Sequence, residues 1–128
     1  MAAETEEISE WLAKADEDFR VAEILLKTGE ELTLPCMFHL QQMLEKLLKA
    51  SILKQGRKIE RTHDLSRLTE LSNNQEISGL LDVCDMLNVF AVNGRYPGDL
   101  PQVSIAFARN YFEQLVEVRD VLLQQIKG

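Results

Sequence analysis

The chain has 128 residues, enough to bury one core without disulfide or metal staples, and is read as a single domain over 1–128. Hydrophobic residues make up 45% and charged residues 27%, which excludes a disordered chain, and the net charge of −7 excludes generic coating of DNA or RNA. No apolar run approaches the roughly 18 residues of a membrane span, and the acidic start Met1–Glu7 lacks the basic and apolar regions of a signal peptide. Cys36 and Cys84 lack C-x-x-C spacing and sit in apolar stretches, so buried free thiols and a cytoplasmic location are expected.

Five helical stretches are readable. The first runs from about Glu6 to Lys27, where Ile8, Trp11, Leu12, Ala15, Phe19, Ala22, Leu25 and Leu26 draw one stripe at three- and four-residue steps. Asp16, Glu17, Asp18 and Arg20 fall outside that stripe, and Gly29 is a stop signal. The second, about Pro35 to Gln55, ends before Gly56 and carries Met37, Leu40, Met43, Leu44, Leu47 and Leu48 on one side. Gln42, Glu45 and Lys49 lie together within about 60° on another side, with Glu45 and Lys49 an i,i+4 pair in the favourable order.

The third stretch is short, about His63 to Leu71, with Thr62 as the expected N-cap and Asn73-Asn74 as the stop. The fourth covers about Gln75 to Val92 and ends at Asn93-Gly94. Its Val83, Leu87 and Phe90 point away from Leu81 and Cys84, which predicts an exposed apolar patch and hence a homodimer. The loop Gly94–Asp99 precedes a last helix over about Leu100 to Lys127. No strand-like alternation appears, and short connections between amphipathic helices predict an all-α antiparallel bundle of four to five helices.

Chemistry-bearing arrangements are few. There is no Gly-rich phosphate loop, no H-E-x-x-H and no nucleophile elbow. His39 and His63 lack ligand-like spacing, so neither metal nor cofactor is expected. His63 at a helix start is an acid–base candidate; the plainer reading is a capping residue bonded to a neighbouring loop. The strip Gln42, Glu45, Lys49 reads either as a solvated face or as the polar wall of a groove facing Arg95. In Arg95-Tyr96-Pro97 the guanidinium suits phosphate and the ring suits a base, or the pair merely anchors the loop. The basic run Lys54, Arg57, Lys58, Arg61 reads as a solvated connector.

Three segments, taken together, resemble the HEPN family. They are Trp11–Leu26 (WLAKADEDFRVAEILL), with its small-x-x-acidic pattern, and Phe38–Ala50 (FHLQQMLEKLLKA), which places Gln42, Glu45, Lys46 and Lys49 on a Gln-x-x-Glu-Lys-x-x-Lys-Ala helix. The third is Thr62-His63-Asp64-Leu65, followed about thirty residues on by Arg95-Tyr96-Pro97. The resemblance implies a helical bundle that dimerises. In some members it implies a metal-independent ribonuclease, with an arginine and a histidine separated by four to six intervening residues. Arg95 matches the arginine, but Leu100, Pro101 and Gln102 stand where the histidine belongs. The expectation is therefore a non-catalytic module that binds a nucleotide, or pairs with a small nucleotidyltransferase in a toxin–antitoxin-like couple. Gln42, Glu45, Lys49, Arg95 and Tyr96 are the candidate ligand residues. The alternatives are a ribonuclease toxin using Arg95 with His63, and a plain helical interaction protein.

Overall fold

The computed structural model describes residues 2–29, 32–73, 79–90 and 102–128. They form α1 (Ala2–Thr28), α2 (Thr33–Lys54), α3 (Leu65–Ser72), α4 (Leu80–Asn88) and α5 (Ile105–Lys127), an all-helical bundle. Contacts run in opposite order along neighbouring helices. Trp11 meets Lys49 while Ala22 meets Cys36, so α1 and α2 are antiparallel; Asp16 meets Arg119 while Phe19 stacks on Phe112, so α1 and α5 are too.

The second helix is the hub. Met37, Leu40, Met43, Leu44, Leu47, Leu48 and Ile52 are fully buried, and they meet Leu65 and Leu68 of α3, Cys84 and Leu87 of α4, and Leu115 and Leu122 of α5 in one core. Truncating any of these leucines to alanine costs roughly 2–5 kcal/mol through lost transfer energy and the cavity left behind. The expectation of an exposed apolar patch on the fourth helix is overturned. Val83, Leu87 and Phe90 are as buried as Cys84, because α4 is wedged against α3 and α2 and covered on more than one side. The large apolar side chains that remain exposed among the described residues, Ile24, Val89 and Val121, are scattered singly.

Helix ends follow local hydrogen bonding, and several differ from the sequence reading: α1 starts at Ala2 and α2 at Thr33, earlier than expected. Asp64, not Thr62, caps α3, its Oδ1 accepting from the backbone N–H of Ser66 at 3.0 Å and of Arg67 at 3.4 Å. Thr62 instead accepts from the Asp64 N–H at 3.1 Å, so the two residues share the turn. The described part of the fourth helix starts at Leu80 after Gly79, whose φ of 74° suits a residue without Cβ; positions 75–78 and 91–94 lie outside the described residues. The last helix starts at Ile105 rather than Leu100. Ser104 takes the cap by accepting from the Phe107 N–H at 3.1 Å, and Val103 just before it accepts from the Thr33 hydroxyl at 2.8 Å.

α3 spans eight residues and is tied at both ends by other elements. Asn88 of α4 accepts from the Leu65 N–H at 2.8 Å and donates to Asp64 at 3.0 Å. At the far end Gln55 donates to the Ser72 carbonyl at 2.5 Å, Arg57 donates to the Leu71 carbonyl, and Asn73 closes the helix in the left-handed region at φ 55°. Part of the basic run after α2 is thus a capping device for α3 rather than a free connector.

Candidate functional site

The polar half of α2 is where chemistry gathers. Steps of 100° place Gln41, Glu45, Lys49, Gln42, Lys46 and His39 across one side of the helix, opposite the apolar set. The middle of that side is shielded from solvent. α1 and the α2–α3 connection lie over it, and Glu45 and Lys49 keep only 4% and 8% of their side-chain surface exposed. The reading of Gln42, Glu45 and Lys49 as an open solvated face is therefore corrected.

Glu45 is the centre of the network. Its Oε2 accepts from Lys49 Nζ at 3.2 Å. Its Oε1 accepts from His63 Nδ1 at 2.9 Å and from Gln41 Nε2 at 3.4 Å. Gln41 Nε2 also reaches the His63 carbonyl at 3.3 Å, and Gln41 Oε1 accepts from Gln42 Nε2 at 2.6 Å. Lys49 Nζ lies 5.2 Å from the centre of the Trp11 ring, a cation–π contact that further fixes it. Among the described residues no buried side-chain nitrogen or oxygen lacks a partner. An ionised pair in such a place is tolerated because each of its buried polar atoms has a partner. Lys49 is accordingly committed to Glu45 and Trp11, and offers a ligand little free charge.

His63 is the outlier of the group. Its ring is held at Nδ1 by a buried carboxylate and its carbonyl by a buried amide, yet its side chain is 71% exposed. Nε2 has no hydrogen-bond partner among the described residues. This combines both sequence readings: a residue that bonds its neighbours, and an imidazole open to solvent.

A second cluster sits farther along the α1–α2 hairpin. Asp18 Oδ1 accepts from His39 Nδ1 at 2.8 Å, and its Oδ2 accepts from Lys46 Nζ. Sequence reasoning set Asp18 outside the apolar stripe with its acidic neighbours, but it is buried. The small-x-x-acidic pattern of Ala15 and Asp18, together with the seven-residue spacing of His39 and Lys46 on one face of α2, is the signal that could have found this cluster.

Gln42, Glu45 and Lys49 are thus brought together, with Gln41, Trp11 and His63 added to them. Arg95 and Tyr96, like Leu100 and Pro101, lie outside the described residues; Gln102 is described and exposed. The thiols offer no nucleophile near neutral pH. Burial pushes both Cys36 and Cys84 up to about 11, and Cys36 Sγ donates to the Ala22 carbonyl at 3.4 Å. Among the described residues no three His, Cys, Asp or Glu side chains come together to hold a metal ion, and no helix is long and apolar enough to cross a membrane.

The fold has a solved counterpart. The crystal structure of an archaeal HEPN homologue superposes with a TM-score of 0.70, covering 93% of this chain and 97% of that one at 22% identity. Comparison with curated proteins returns no match. The family model described as the HEPN domain matches residues 8–127, a span that takes in most of α1, the Glu45 network and α5. This chain belongs to the HEPN domain family.

Proposed function

We propose that the chain, acting as one unit, is a non-catalytic HEPN module that binds a nucleotide or docks on a small nucleotidyltransferase, and that it does so as a homodimer. The observation that supports this reading most is the Glu45 network. A charge-balanced, hydrogen-bonded base holds an exposed imidazole in one orientation, which is how a recognition surface is pre-organised. The stretch after Arg95, where a catalytic histidine belongs, supplies Gln102 instead, a side chain that exchanges no proton near neutral pH. Arg95 and Tyr96 complete the reading as the phosphate and base contacts, by their chemistry alone. The homodimer rests on the family; the α4 patch no longer supports it.

One experiment on the purified full chain separates binding from catalysis. Single-stranded RNA is incubated with the protein, and in parallel AMP is titrated while amide shifts are followed in the unchanged protein and in Arg95→Ala. The expected result is no cleavage above background, together with shifts that weaken in Arg95→Ala. Robust cleavage abolished by Arg95→Ala overturns the reading. It would establish instead a metal-independent ribonuclease, which one observation favours: His63 has the carboxylate-held, solvent-facing geometry of a general base. Light scattering at micromolar concentration tests the dimer, and a monomeric mass removes it.

A further inference from the structure

The network around Glu45 does more than close a helix junction. Burying an ion pair brings little net stability, because desolvation offsets the attraction. Glu45 nevertheless takes a third donor from outside the core, and that donor is an exposed histidine. Its neighbour Gln41 grips the backbone carbonyl of the same residue. Ring and backbone of position 63 are therefore fixed by two adjacent turns of α2. Anchoring the connection does not require this, since Asp64, Asn88, Gln55 and Arg57 already tie α3 at both ends.

The geometry points to His63 as a ligand contact: Glu45 fixes its tautomer so that Nε2 faces solvent, and Nε2 binds a phosphate oxygen of a phosphate monoester. The inference rests on the nucleotide-binding reading above and names the atom that would meet the phosphate. A carboxylate is an acceptor only, so its 2.9 Å partner Nδ1 carries the proton and Nε2 is the variable nitrogen. Neutral imidazole presents there an acceptor, and imidazolium a charged donor.

The surrounding charges decide which ligand this suits. Glu45 is balanced by Lys49, so a protonated His63 leaves the network with one net positive charge. Asp64, next in the chain, is committed as the α3 cap, accepting from Ser66, Arg67 and Asn88. Arg67 is committed to Glu60 and Glu70. Arg61, two residues before His63, is exposed and has no ion-pair partner among the described residues, and so adds a second cation to the same short segment. A phosphate carries close to two negative charges and several acceptor oxygens, which suits an imidazolium with a guanidinium on the same short segment.

The test is ring nitrogen NMR of His63 in the full chain, without ligand and then with inorganic phosphate, AMP or adenosine. In the free protein at high pH the Nδ1–H tautomer is expected to dominate, and Glu45→Gln, which keeps the shape, is expected to release it into a mixture. Phosphate and AMP should move the Nε2 resonance and adenosine should not. His63→Ala, at an exposed position that leaves the core intact, should weaken AMP binding about tenfold or more. A dominant Nε2–H tautomer in the unchanged protein overturns the inference. So does AMP affinity that is the same in His63→Ala but lost in Arg95→Ala, a result that leaves the nucleotide reading standing. Phosphate bound at His63 without any preference for AMP supports the inference and removes the nucleotide reading. Binding of neither removes both.

Discussion

The two carboxylate clusters of this bundle use the same three chemistries in different settings. Asp18 and Glu45 each accept from a histidine Nδ1 and a lysine Nζ, and in both the lysine lies on α2. Asp18 takes both partners from one helix, so its bonds staple α1 to α2. Glu45 takes its lysine from its own helix and its histidine from a connection 18 residues on. Exposure separates them further: the His39 side chain is 29% exposed against 71% for His63. The first cluster is spent on holding two helices together, whereas the second ends in a side chain facing solvent. The teaching is that a buried carboxylate is not by itself a sign of function; where its last partner points is what distinguishes the two.

This contrast predicts an order of mutational effects. The largest belongs to Glu45→Ala, which leaves the Lys49 ammonium buried without its counter-charge. A loss of about 3–5 kcal/mol is expected in urea unfolding, and a loss below about 1 kcal/mol would show that the network is not the buried one described. Asp18→Ala should cost less, about 1–3 kcal/mol, because Lys46 and His39 reach water more readily than Lys49 does. If Asp18→Ala proved costlier than Glu45→Ala, the two clusters would have to exchange roles. His63→Ala should be the mildest, below about 1 kcal/mol, since Glu45 keeps Lys49 and Gln41 as donors. A stability loss as large as that of Asp18→Ala would make His63 a staple like His39, and would remove its claim to a separate role.

Much of the architecture was legible from periodicity. α1, α2 and α5 follow stripes long enough to define themselves, and the Glu45–Lys49 pair is an i,i+4 spacing that any helix makes adjacent. The caps were less legible: Thr62 and Asp64 are both capping residues two positions apart, and only backbone geometry assigns the role to Asp64. Burial of the polar side of α2 was not legible at all. It depends on α1 and the α2–α3 connection covering that side, a tertiary fact that no pattern within α2 records. Asp18 was hidden for a similar reason. It ends the acidic run Asp16-Glu17-Asp18, and which of the three turns inward is set by the phase of α1 against α2. The Glu45–His63 contact joins two elements, and only the order of the Phe38–Ala50 and Thr62–Leu65 segments hinted that they belong together.

The brevity of α3 has a consequence for timing. A helix of eight residues does not persist alone in water, where about 12–15 residues are needed for even marginal helicity. Its bonds to Asn88 on one side and to Gln55 and Arg57 on the other make its existence conditional on docking. Amide protons of α3 should therefore exchange with solvent in step with those of α4, as one cooperative opening below the free energy of global unfolding. His63, directly before the Asp64 cap, is held instead by Glu45 and Gln41 of α2, so its imidazole stays anchored on the side of the bundle that does not open.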